Sequence, residues 1–395
     1  MGKSGVLPEL EKTMGSNMIV KIADNITSPI GLNTDENLNA VLTGKTMLRV
    51  HSDKFGLSEA FCGSLFNREE LSKTVRDEIG ETDGLSFLEE LCIFSAKRAI
   101  SACNLSVKEH NVVFILSTTK GNVEYLAKDR MDERSYLAST AEKITSYFGN
   151  PNPPIVVSNA CISGVCAQIA GIRELLSGQY KYAIVIGCDV LSKFIVSGFQ
   201  SFKALSPDTC KPYDKNRIGL NLGEAVGTII LERTHHAKPK TWRYVSSSIH
   251  NDANHISGPS RTGEGSYRVL ADIMKSVDKS DLAVINAHGT ATPYNDEMES
   301  IAIHRAELDE VPVNGLKGIY GHTLGAAGVV ETILSMKALD NGIILPTIGY
   351  EEQGTSYKLN VANDSRTTDK KTFIKVLSGF GGSNAGIAYQ KGGDI

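Results

Sequence analysis

Short apolar runs alternate with amphipathic stretches along almost the whole chain. Residues 18–24 are apolar and end in a turn-rich stretch at 25–31, which predicts a first strand leading into a helix near 34–42. Phe87, Leu88, Leu91, Phe94, Ala99 and Ile100 recur at three-and-four spacing, the mark of one buried face on a long helix. Residues 112–116 are β-branched and bounded by polar positions, so they read as a buried strand. Another strand at 154–157 runs straight into Ser158, Asn159, Ala160 and Cys161. A helix follows it, with Val165, Ile169, Ile172 and Leu176 on one apolar face and Gly178 as its stop. Strands at 183–186 and 226–231 complete this part.

After about residue 237 the pattern starts again. Residues 244–249 are strand-like, 265–276 helical, and 282–285 a buried strand. A helix beginning near Leu324 carries Val329, Val330, Ile333, Met336 and Leu339 and is apolar almost all round, as a helix buried on several sides must be. Residues 373–377 and 385–389 read as closing strands. Alternating strands and helices predict α/β layering. Two similar halves, 18–240 and 241–395, are expected to share one core, because no low-complexity linker separates them. Residues 1–17 are expected to be a polar extension without the apolar core of a signal peptide.

Composition narrows the function classes. The 395 residues are 41% hydrophobic and 22% charged, an ordinary globular mixture. A net charge of −4 without any block of like charge argues against nucleic acid as the main partner. The longest apolar run, residues 182–187, is far below the roughly 18 residues of a membrane span. Seven thinly spread cysteines in so large a chain point to free thiols in a reducing cytoplasm.

Candidate chemistry lies where strands end. Cys161 stands at a strand-to-helix junction, where the positive end of a helix and free backbone N–H groups favour the reactive thiolate. Cys92, Cys103 and Cys188 fall within predicted elements, and Cys62, Cys166 and Cys210 have no activating neighbours, so all six read as inert. No second Cys/His pair with zinc spacing follows Cys161 and Cys166, so no metal is expected. His288 follows the buried strand 282–285, the position where α/β sheets place ligands. His322 precedes the all-apolar helix, and Gly325, Ala326 and Ala327 after it permit close packing. The remaining histidines read as surface residues. The segment Gly379-Phe-Gly-Gly-Ser-Asn384 is neither a dinucleotide fingerprint nor a P-loop, so its glycines are expected to let backbone N–H groups approach a substrate oxygen.

Taken in order, these segments resemble a known family. Ala160-Cys-Ile-Ser-Gly164, His288-Gly-Thr-Ala-Thr292, Lys317 with His322 and Gly325-Ala-Ala-Gly328, and the terminal Gly-Phe-Gly-Gly-Ser-Asn occur as in β-ketoacyl-acyl carrier protein synthases of the elongating Cys-His-His branch. Residues 22–31 and 197–232 agree as well, so the resemblance covers the chain from Met18 onward. It implies the thiolase fold, two halves in a five-layered α-β-α-β-α arrangement, usually as a homodimer. It also implies roles: Cys161 accepts the acyl group, His288 and His322 hold the malonyl thioester carbonyl during loss of carbon dioxide, and Lys317 with Glu331 keeps that site in order. Thr290 and Thr292 correspond to threonines that hold the phosphopantetheine arm, and Phe380 to a gating residue whose N–H joins that of Cys161 in an oxyanion hole. The partner implied is acyl carrier protein, with neither metal nor redox cofactor.

The chain departs from that pattern in places. Asn159 replaces a common threonine, Ile218 stands where an aspartate is usual, and Leu377-Ser378 precedes the closing glycines without the usual extra phenylalanine. These changes favour a specialised polyene-, pigment- or polyketide-like product alongside primary fatty-acid synthesis. A thiolase acting on coenzyme A esters would need a second cysteine near the C-terminus, and none follows Cys210. A starter-type synthase would carry asparagine at His322. A non-catalytic partner that sets chain length in a heterodimer generally lacks the nucleophile present here.

Overall fold

The computed structural model describes residues 17–80, 82–126 and 132–393. The expected N-terminal extension therefore lies, but for Asn17, outside the described residues. The first half comprises β1 (Met18–Thr27), α1 (Phe87–Cys103), β2 (Val112–Ser117), α2 (Leu137–Tyr147), β3 (Ile155–Val157), α3 (Ser163–Ser177), β4 (Tyr182–Asp189), α4 (Lys193–Ser201) and β5 (Ala225–Thr234). The second comprises β6 (Trp242–Asn251), α5 (Glu264–Met274), β7 (Leu282–Asn286), α6 (Pro293–Arg305), β8 (Pro312–Asn314), α7 (Ala327–Asp340), β9 (Asn360–Val361), β10 (Thr372–Gly379) and β11 (Ser383–Lys391).

Eleven strands join in the order β9-β8-β7-β10-β11-β6-β1-β5-β4-β2-β3. Read outward from its centre, the order repeats. β6 corresponds to β1, β11 to β5, β10 to β4, β7 to β2 and β8 to β3, with the same parallel and antiparallel pairings. The two half-sheets join where β1 and β6 run antiparallel, with Val20 beside Arg243. α3 and α7 pack against each other and against strands of both half-sheets, while α1 and α2 cover one outer face and α5 and α6 the other. That is a five-layered α-β-α-β-α arrangement. The two inner helices come this close because Gly164 and Gly328 face one another: a Cβ on Gly164 would lie 2.9 Å from the Gly328 Cα.

The periodicity located most elements within a few residues of these bounds. β1 runs on to Thr27, past the predicted turn, because Asn25 and Thr27 keep pairing with Thr228 and Val226 of β5. α1 starts where a capping box forms, with Ser86 and Glu89 each accepting the other's backbone N–H. The window Ala160–Ser177 is by length and mean hydropathy apolar enough to cross a membrane, although Gln168, Arg173 and Glu174 interrupt it. Its apolarity has another cause, since 67% of the window is buried as part of the central layer.

Candidate active site

The nucleophile stands on a strained turn. Ala160, immediately before Cys161, has φ +43°, a left-handed conformation that costs a non-glycine residue about 1–3 kcal/mol. Ser163 holds that turn, its Oγ donating to the Ala160 carbonyl at 2.6 Å and accepting the Asn159 N–H at 2.7 Å. Cys161 thereby projects from the first turn before α3 into a cavity of about 470 Å³. The expectation of a ready thiolate is corrected here. Burial pushes the Cys161 thiol up to about 11, against the opposing pull of Lys317, the Phe380 N–H and Lys120. The resting group is the thiol.

Both histidines come from the other half and reach the same cavity. Among the described residues, the donor atoms of Cys161, His288 and His322 lie within 4.8 Å of one another. The two imidazoles are edge-to-face with centroids 5.0 Å apart. His288 follows β7, and its backbone N–H and that of Gly289 bind the Glu299 carboxylate at 2.6 and 2.8 Å. The His322 N–H donates to the Asn221 carbonyl, and its Nδ1 accepts the Leu324 N–H at 3.2 Å, which places the His322 proton on Nε2. Nδ1 of His288 and Nε2 of His322 are buried without a partner among the described residues. Unsatisfied buried nitrogens at a cavity wall call for a ligand atom. Burial, followed by the charge of Lys317, holds both imidazoles well below their ordinary pKa, so each is neutral at neutral pH.

Behind the histidines lies a buried ionic cluster. Lys317 Nζ donates to the His288 carbonyl at 2.5 Å and to Glu331 at 3.0 Å. Lys375 also pairs with Glu331 and donates to the Ala287 carbonyl at 3.0 Å. The two lysines outweigh burial and keep Glu331 below the usual carboxylate range. Lys375 escaped sequence reasoning, although the signal was present. It interrupts an apolar strand in which residues 372–378 are all buried, and a buried lysine needs a partner. A Cys-His-His set is one that zinc also accepts, but two ammonium groups directly behind it oppose a dication.

The remaining predicted residues gather at the entrance. Thr290 and Thr292 line the cavity with their hydroxyls 2.9 Å apart. His255, read from sequence as a surface residue, is exposed yet also lines this mouth, together with Ile218. Phe380 stacks on Phe199 at 5.9 Å and meets Phe202 edge-on at 5.4 Å. Cys161 and these three rings border both the entrance cavity and a second one of about 470 Å³, which is mostly apolar and includes Ile195 and Leu324. Phe380 therefore stands between a polar entrance and an apolar pocket, and Gly381 and Gly382 after it have φ of +87° and +72°. Gly379 lets the backbone pass close to the nucleophile, since a Cβ there would crowd the Cys161 N at 3.2 Å and the Ser383 Oγ at 3.0 Å.

Comparison with known proteins agrees with this geometry. The model of the β-ketoacyl synthase N-terminal domain matches residues 116–237, and that of the C-terminal domain residues 243–351. A 3-oxoacyl-[acyl-carrier-protein] synthase 2 from Vibrio harveyi is 25% identical over 96% of this chain and 99% of its own length. Nodulation protein E from Rhizobium leguminosarum bv. trifolii is 30% identical over 64% of this chain, and the match spans 65% of that protein. Among solved structures, a β-ketoacyl synthase from Burkholderia phymatum superposes with TM-score 0.82 at 20% identity, covering 95% of this chain and all of the other. A ketosynthase in complex with its chain length factor from Xenorhabdus doucetiae gives TM-score 0.82 at 22% identity, covering 98% of this chain. At those identities the likeness is one of fold.

Proposed function

Because this chain belongs to the β-ketoacyl synthase family, we propose that it condenses an acyl group held on Cys161 with malonyl-acyl carrier protein. The product is a 3-oxoacyl-acyl carrier protein two carbons longer, made for a fatty acid or a polyketide-like compound. The observation that carries this reading is the meeting of one buried thiol and two neutral imidazoles within 4.8 Å. In the first half-reaction Sγ adds to an acyl thioester, the carrier's thiolate leaves, and the Cys161 proton passes to it. With the thiol near 11, that proton leaves only as the attack proceeds.

In the second half-reaction the bond between the malonyl α-carbon and its carboxylate breaks. Carbon dioxide departs, and the electron pair spreads onto the thioester oxygen as an enolate. His288 and His322, neutral and each able to donate one N–H, are placed to receive that oxygen. The enolate carbon then attacks the acyl-cysteine carbonyl, the C–S bond breaks, and the released Cys161 thiolate takes up a proton from solvent. Thr290 and Thr292 line the approach and suit the amides of a phosphopantetheine arm. No dissociable metal or redox cofactor enters this balance. Seven cysteines that are all free thiols, together with the family's biosynthetic role, support a cytoplasmic setting.

The apolar cavity beyond Phe380 suits the acyl chain. If Phe380 gates it, Phe380→Ala slows acyl loading on Cys161 and leaves carbon dioxide release from malonyl-acyl carrier protein unchanged. Equal effects on both half-reactions, measured by rapid quench, would sink the gating role.

We also propose a homodimer. The buried run 183–186 lends it no support, because β4 lies between β2 and β5 beneath α1 and α3 of its own chain. Better support comes from β3, an edge strand bonded on one side only and half-buried. Phe194 and Phe202, exposed on and just after α4 near the apolar pocket, add apolar surface there. Analytical ultracentrifugation should give twice the chain mass at micromolar concentration; a monomer would overturn the proposal.

A further inference from the structure

We propose that Lys375 is a positioning residue for decarboxylation: together with Lys317 it holds the Ala287–His288 segment, and it supplies a second positive charge behind the two histidines. The inference rests on the decarboxylating role assigned above to His288 and His322.

The geometry begins in the sheet. Lys375 lies in β10 in register with Asn286 of the parallel strand β7, two residues before His288. Its side chain is wholly inaccessible to solvent. From there Nζ donates to the Ala287 carbonyl, while Lys317 takes the next carbonyl, that of His288. Two consecutive peptide oxygens are thus held by two ammonium groups. Both lysines share one carboxylate, that of Glu331 from α7. An isolated pair would need only one lysine, so the second is an excess cation in a region of low dielectric, where its field reaches the imidazoles with little screening.

Other charged groups face this segment as well. Glu299 and Asp296 approach from α6, but the Glu299 carboxylate is taken up by the His288 and Gly289 N–H groups, Tyr213 and Asn295. Asp296 is occupied by the Tyr213 and Ala291 N–H groups and by Arg217 at 3.9 Å. Asp189 lies on the other side of Cys161 and binds the Gly325 N–H together with Thr118 and Thr119. None of these touches Lys375. Burial draws Lys375 down to about 8 while Glu331 holds it up, so it carries its charge through neutral pH. After burial and Lys317, Lys375 is among the charges that keep both imidazoles neutral. Kept neutral, His322 retains the Nδ1 lone pair that accepts the Leu324 N–H and so keeps its Nε2–H aimed at the cavity, and the excess cation also draws on the enolate's charge.

The test measures carbon dioxide release from malonyl-acyl carrier protein against pH in a Cys161→Ala background, which reports decarboxylation alone. Lys375→Met removes the charge and keeps the volume; Lys375→Gln also keeps a donor for the Ala287 carbonyl and serves if the methionine variant fails to fold. Both should move the acid limb of the profile up by about one pH unit and lower the plateau, whereas Lys375→Arg should leave the limb near its parent position. A limb that stays put in folded Met and Gln variants would overturn the inference, since a merely structural lysine lowers the rate without moving the limb. If the Cys161→Ala parent releases no carbon dioxide, the proposed function itself fails; if it does and the limb does not move, only the role of Lys375 fails.

Discussion

Cys161→Ala is expected to abolish acyl loading and to lower condensation on the order of 10⁶-fold, the scale on which deleting a covalent catalyst's nucleophile is felt. Carbon dioxide release from malonyl-acyl carrier protein should nonetheless remain measurable. The separation follows from where the groups originate. The thiol comes from the turn before α3 in the first half, whereas His288 and His322 follow β7 and precede α7 in the second. The contacts that hold them, the Leu324 N–H on the His322 imidazole and the Glu299 carboxylate on the His288 backbone N–H, do not involve Cys161. Removing a small buried side chain therefore leaves the enolate site standing. Loading is read by mass of the intact protein and release by trapped carbon dioxide, so one sample yields both numbers.

The reciprocal variants should behave in the opposite way. His288→Ala or His322→Ala removes one of two donors to a developing oxyanion, a loss of about 10²–10³ in decarboxylation rate. Acyl loading on Cys161 should persist in both. His322→Ala also leaves the Leu324 N–H without its acceptor, and Leu324 has φ +52°. Some of the loss in that variant is therefore expected to come from a loosened turn. His322→Asn, which restores a polar side chain, helps to separate the two effects. The pH profile carries a further mark. Because both imidazoles sit well below their ordinary pKa, decarboxylation should stay flat through neutral pH and fall on the acid side, as protonation removes the neutral form. A limb centred near the ordinary histidine value would contradict the neutral-imidazole picture.

Much of this architecture was legible in the sequence because both halves use strands buried on two faces. Continuous apolar runs such as those within β4 and β7 announce themselves, and the all-apolar α7 signals a central layer. Elements whose faces are mixed were missed. α6 carries apolar and polar residues without a clean stripe, since its Asp296 and Glu299 are buried to bind loop N–H groups rather than exposed, and α2 buries a face of Thr140, Ala141, Ile144 and Thr145 that is half threonine. Helix Arg68–Ile79 was missed for the opposite reason: it is so polar that only Leu71, Val75 and Ile79 are buried. The site residues were identified through spaced motifs, and the structure brings Cys161, His288, His322, Thr290, Thr292 and Phe380 to one cavity, with Lys317 and Glu331 behind it. What spacing could not convey was energetics. A helix N-terminus suggested an acidic thiol, but the same packing that aims Cys161 also strips it of water. Lys375 and His255 were passed over because neither belongs to a motif; each matters through what the fold brings beside it.

The central claim is that Cys161 carries the growing chain and yields it to a carbon nucleophile made by loss of carbon dioxide. It is tested most directly by following one sample in mass spectrometry. Offered an acyl-acyl carrier protein, the protein should gain the mass of that acyl group, mapped to the peptide containing Cys161. Addition of malonyl-acyl carrier protein should then discharge the adduct, with a 3-oxoacyl-acyl carrier protein two carbons longer appearing in equal amount. An adduct on any other residue, or one that malonyl-acyl carrier protein leaves in place, would contradict the account.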